Sequence, residues 1–186
     1  METKSTELKK GRIYTIALIA VMAAVMCILG PLSLPIGVVP ITLTNLVIYM
    51  TIVILGCKKA TISTLVYLLI GTVGLPVFSG FSGGIGKLLG PTGGYLIGYV
   101  FLALIAGFFV DRFPGKLWIQ GTGMVLGTAI LYLFGTAWLA YQAGMSFQAA
   151  LAAGVIPFIL GDVIKIVIGL LLGTLIRKQL VKAHLI

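Results

Sequence analysis

The stretch "PFILGDVIKIVIGLLLG", residues 157–173, places a carboxylate, Asp162, and an ammonium, Lys165, in one of the most apolar runs of the chain. An isolated charge at bilayer depth costs from about 2.5 kcal/mol to several times that, and such residues mark function by default. Three positions apart, the two side chains share one face of a helix. Gly161, Gly169 and Gly173 lie close to that face and leave room for a ligand or a neighbouring backbone. Two readings follow. A self-neutralising ion pair would help pack helices. A receptor site would set an acceptor beside a donor, which suits a neutral, amide-like group carrying both N–H and C=O.

Other segments carry polar chemistry. "FSGFSGGIGKLLGPTGGYL", residues 78–96, is too glycine-rich for a plain connector. Glycine permits close approach of backbone to ligand and long loops often act as lids, the alternative being a flexible link. Its "GGIGKLL" is not a phosphate loop, which needs a glycine where Phe81 stands and Ser or Thr where Leu88 stands. Ser82 in "GFSG" resembles an intramembrane protease nucleophile, but the single histidine, His184, lies in the C-terminal tail, too far to act as its base. Lys87 is either a solvated loop cation or an attractor for an anionic substrate. "PITLTNL" holds the single asparagine, Asn45, with Thr42 and Thr44, which would hydrogen-bond a ligand or satisfy backbone groups. Ala20-x-x-x-Ala24, Gly123-x-x-x-Gly127 and Gly169-x-x-x-Gly173 have the small-residue spacing that lets helices approach closely.

These residues must be positioned by membrane elements. Of 186 residues, 60% are hydrophobic and 9% charged, with mean hydropathy +1.19, whereas soluble domains carry about 25% charged residues. The net charge of +9 is scattered between apolar segments rather than gathered on a basic face with interleaved aromatics, which argues against a nucleic-acid partner. The apolar part of the N-terminal segment, residues 13–29, exceeds a signal-peptide core and lacks a following A-x-A site, so a retained helix is expected. Cys27 and Cys57 are expected at opposite ends of successive spans, beyond disulfide reach, as small packing residues.

Six spans are expected, at about 13–31, 40–57, 60–77, 93–111, 116–136 and 156–176, forming one all-α integral membrane domain over residues 1–186. With six spans, Lys4, Lys9, Lys10, Arg12, Lys58, Lys59, Arg112, Lys116, Arg177, Lys178 and Lys182 all fall on one side, leaving Lys87 alone on the other. The positive-inside rule then puts both termini in the cytoplasm. The Asp162–Lys165 pair lies one to two turns below the external surface.

"GPTGGYLIGY" (residues 90–99), the preceding "GLPVFSG", and "GDVIK" in the last helix resemble the biotin-specific S components of energy-coupling factor transporters, the BioY family. The resemblance runs from the first helix to Arg177. It implies a six-helix bundle in the cell membrane of a prokaryote that binds biotin from outside. It also implies docking on a membrane-embedded coupling protein and two cytoplasmic ATPases, which drive toppling and inward release. Asp162 and Lys165 would contact the ligand. The loop of residues 79–92 would close over it, with Ser79, Phe81, Gly83, Gly84, Lys87 and Thr92 as contacts. Ala20 and Ala24 would meet the coupling protein. The family often has glutamine where this chain has Asn45, grouped with Thr44 as a further contact. Biotin's ureido ring matches the Asp162–Lys165 pair, its thioether ring would lie against Phe78, Phe81 or Tyr95, and its anionic valerate would meet Lys87.

The reading is a biotin-capture subunit of an energy-coupling-factor-type ABC transporter, not an enzyme and with no cofactor. The alternatives are an S component for another small vitamin, an intramembrane enzyme using Asp162 and Lys165 as acid and base, and a structural bundle without a ligand.

Overall fold

Apolar side chains face outward as well as inward: Leu160 is 75% exposed and Trp118 89%. Such a surface suits hydrocarbon rather than water. The computed structural model describes residues 2–35, 38–183 and 185, with residues 2–10 by backbone alone. The side chains of Lys4, Lys9, Lys10 and His184 therefore lie outside the described set.

Among the described residues the chain runs α1 (Glu2–Leu29), β1 (Ser33–Leu34), β2 (Ile41–Thr42), α2 (Thr44–Leu55), α3 (Cys57–Val73), α4 (Ile85–Leu89), α5 (Gly93–Arg112), α6 (Leu117–Ala143), α7 (Phe147–Gly154), a 3-10 turn (Ile156–Phe158) and α8 (Ile159–Lys182). Among the described residues four helical stretches are long and apolar enough to cross a membrane: Gly11–Leu29, Gly93–Arg112, Leu117–Ala143 and Phe147–Lys182.

Several expected boundaries are corrected. The segment 40–57 is not one helix. Pro40 supplies no N–H, and residues 41–42 pair antiparallel with residues 33–34, with Ser33 opposite Thr42. Helix α2 therefore has 12 residues, about 18 Å at 1.5 Å per residue. A single glycine, Gly56 at φ 78, separates it from α3. Helix α3 stops at Gly74, φ 119, before Pro76. Helix α6 continues past residue 136 to Ala143, where the left-handed Gly144 caps it. The expected connectors hold two further short helices, α4 and α7.

One end of the bundle gathers the basic residues. The Cys57 amide donates to Asp111 Oδ2 at 2.9 Å, joining the start of α3 to the end of α5. Arg177 donates to the Val53 carbonyl at 2.9 Å and so closes the end of α2 from α8. Lys58, Lys59, Arg112 and Lys178 adjoin these contacts in sequence. The opposite end carries the glycine-rich loop, where the Gly80 amide reaches the Pro31 carbonyl just beyond α1.

Close helix approach depends on small residues. Helices α5 and α6 share the most extensive interface. Side chains of one helix sit over glycines of the other: Phe109 on Gly123, Leu102 on Gly127 and Tyr95 on Gly135. Gly169 and Gly173 of α8 admit Tyr49 and Val53 of α2. Ala20 and Ala24 differ, both being exposed on the outer face of α1.

Candidate functional site

Asp162 lies in the first turn of α8 and is 4% exposed, so its carboxylate needs partners. It has three. Lys165 Nζ donates to Oδ1 at 2.9 Å, Asn45 Nδ2 donates to Oδ2 at 3.0 Å, and the Tyr132 hydroxyl donates to Oδ2 at 2.6 Å. The Tyr99 hydroxyl in turn donates to Asn45 Oδ1 at 2.9 Å. The network draws on α2, α5, α6 and α8, and its polar atoms face a cavity.

A carboxylate offers about two acceptor positions per oxygen, so Oδ2 is full and Oδ1 keeps one. Lys165 retains two N–H groups and the Asn45 amide one. The free valences are therefore several donors beside one anionic acceptor. The cavity holds about 580 Å³ of space between its walls, part of it open to the outside.

Of the residues singled out in the sequence, the structure brings Asp162, Lys165, Asn45, Thr42, Thr44, Ser79, Thr92 and Tyr95 to the cavity wall. Phe81, Gly83, Gly84 and Lys87 are not among the lining residues. The reason is local. Phe78 and Ser82 exchange backbone hydrogen bonds, and Gly80 (φ 70) and Phe81 (φ 54) both turn left-handed between them. Phe81 ends 66% exposed, whereas Phe78 is fully buried, edge-on against Tyr67 with ring centroids 5.6 Å apart. Gly83 lies tight against the Leu75 backbone. Lys87 is on α4, which packs on α3 and α5.

The glycine-rich segment forms the roof, held to the bundle by bonds to backbone carbonyls, among them the Gly80 bond to Pro31 and that of the Tyr67 hydroxyl to the Val77 carbonyl at 3.2 Å. The Gly84 amide donates to the Gly71 carbonyl at 2.7 Å. At the other end Trp138 Nε1 donates to the Gly90 carbonyl at 2.9 Å and Gln142 Nε2 to the Leu89 carbonyl. A side chain on Gly94 would overlap Trp138. The Tyr95 hydroxyl donates to the Gly154 carbonyl at 3.1 Å, tying the end of α7 to the same rim.

Sequence reasoning missed Tyr99 and Tyr132. Both carried a readable signal: a phenol in an apolar span requires a polar partner, and Tyr99 sits one turn beyond Tyr95 on the same helical face. Tyr67, which carried the same phenol signal, completes much of the wall with Leu96, Leu131 and Phe158, apolar residues that nothing marked.

The family model described as BioY family matches residues 1–182. The chain is 30% identical over 173 residues to biotin transporter BioY2 of Lactococcus lactis subsp. cremoris, covering 93% of this chain and 95% of the relative. It is 38% identical over 169 residues to biotin transporter BioY of Rhizobium etli, covering 85% and 90% respectively. A crystal structure of the S-component for biotin from an ECF-type ABC transporter superposes with TM-score 0.84 at 33% identity, covering 90% of this chain and 92% of that one.

Proposed function

This chain belongs to the BioY family, and on that premise we propose that it captures biotin at the outer face of the cell membrane, as the S component of an energy-coupling factor transporter. It is a transport subunit, not an enzyme. The observation that carries the reading to individual residues is the hydrogen-bond inventory around Asp162. A ureido ring presents two N–H groups and a carbonyl. One N–H would meet the free position on Asp162 Oδ1, while the carbonyl would accept from Lys165 Nζ and the unspent Asn45 N–H. The thioether ring would lie against Tyr95, Leu96 and Leu131. The valerate would point toward the roof, where Ser79 and Thr92 offer hydroxyls.

The roof, residues 74–92, would move outward to admit biotin and close again over it. The bundle works as one unit over residues 1–186, crossing the membrane six times. In this arrangement α1, α2 with its preceding hairpin, α3, α5, α6 and α8 cross, while α4 and α7 stay outside. The basic end, with both termini, faces the cytoplasm. There the chain would meet a membrane-embedded coupling protein and two ATPases. The outward-facing Ala20 and Ala24, unlike the glycine pairs already covered by the chain's own helices, are free to receive the coupling protein within the bilayer.

Equilibrium binding of labelled biotin to the purified chain tests the assignment. Binding well below micromolar is expected, and a dissociation constant weaker than about 1 µM, equivalent to about −8 kcal/mol, ends it. Ala20→Leu with Ala24→Leu should leave that binding intact and abolish co-purification with the coupling protein and ATPases.

A further inference from the structure

We propose that Tyr99 is a positioning residue for recognition, acting through the side chain of Asn45; the proposal rests on the biotin reading above. An amide side chain has two orientations related by a half-turn, and only its hydrogen-bond partners choose between them. Here the choice is forced from one side. Asp162 Oδ2 can only accept, so the group facing it at 3.0 Å must be Asn45 Nδ2. Asn45 Oδ1 then faces away, toward the Tyr99 hydroxyl at 2.9 Å, and that hydroxyl must donate.

The order of donation is therefore fixed along the chain, from Tyr99 to Asn45 to Asp162. With the amide so held, its second N–H remains for a ligand carbonyl. Asn45 is 8% exposed and Tyr99 7%, so water gives little help if a link is removed. Without the Tyr99 hydroxyl, Asn45 Oδ1 would be buried with no donor, a cost relieved by swinging the amide out of its place beside Asp162. That movement lengthens the bond to Asp162 and misplaces the N–H left for the ligand. Tyr99 is itself rigidly placed, because Gly98 beside it lies against Leu131 of α6.

The test is a double-mutant cycle read by equilibrium binding of labelled biotin to purified chain, using Tyr99→Phe, Asn45→Ala and the two combined. Wild-type affinity reports on the biotin reading alone, and the cycle reports on Tyr99. Tyr99→Phe keeps the ring and should weaken binding about three- to tenfold. Asn45→Ala should weaken it roughly 10- to 100-fold. The combined variant should bind within about twofold of Asn45→Ala, since a positioning group loses its effect once the group it positions is gone. General loosening of the bundle would instead multiply the two losses. Multiplying losses, unchanged binding in Tyr99→Phe, or a Tyr99→Phe chain that no longer folds would each overturn the proposal.

Discussion

Around Asp162 the decisive bonds run between side chains of four helices far apart in sequence. Over residues 74–92 they run to backbone carbonyls, from amides, from the Tyr67 and Ser82 hydroxyls, or from two side chains of α6. The floor is thus arranged before any ligand arrives, with a buried ion pair that neighbouring phenol and amide groups complete. The roof is attached at its ends, at Gly80 and through the buried Phe78, and none of these attachments belongs to the charge network. On the proposed reading, this difference would give affinity and head-group selection to the floor and rates of entry and exit to the roof. It also places the cost of burying charge in the part of the molecule that does not need to move.

Substitutions can break this division or sharpen it. The largest effect is expected from Asp162→Asn, which leaves Lys165 beside the cavity without its counter-charge. Binding of labelled biotin should fall at least about 100-fold. Lys165→Met should come next, at roughly 10- to 100-fold, because Asp162 keeps the donors from Asn45 and Tyr132 while the apolar stem is preserved. On the roof, Trp138→Phe removes the donor to Gly90. Stopped-flow measurement should show both entry and release faster by a few-fold, with the equilibrium constant changed far less than in either floor variant. Phe81→Gly should have the smallest effect, within about twofold on affinity, because the residue is exposed and stands at positive φ. A large loss there, or a roof variant that weakens equilibrium binding as much as Asp162→Asn, would erase the distinction.

Much of the floor was legible in the sequence because charge in an apolar run is rare and expensive. Asp162 and Lys165 are conspicuous on that ground alone, Asn45 as the single asparagine of the chain, and the three-residue spacing of the charged pair gives the shared face. The tyrosines that complete the network are marked only as phenols in apolar spans, which does not say which of them meet. Which of the seven tyrosines meets Asp162 depends on the rotation of α5 and α6, set by packing such as Tyr95 on Gly135 and Leu131 on Gly98. The roof was harder to read for a different reason. Whether Phe78 or Phe81 turns inward is decided by two left-handed residues in one short loop, and composition does not reveal that choice. Likewise, the apolar run from Pro40 gave no sign that its first residues pair with Ser33 and Leu34 instead of starting a helix.

The central claim is that the paired charges of α8 hold the ureido head of biotin. Replacing both together, Asp162→Asn with Lys165→Met, removes the charges while leaving no unpaired ion behind. Equilibrium binding to that purified double variant should be weakened by at least about 100-fold, with the helical bundle retained by circular dichroism. Retention of wild-type affinity in a folded double variant would contradict the account.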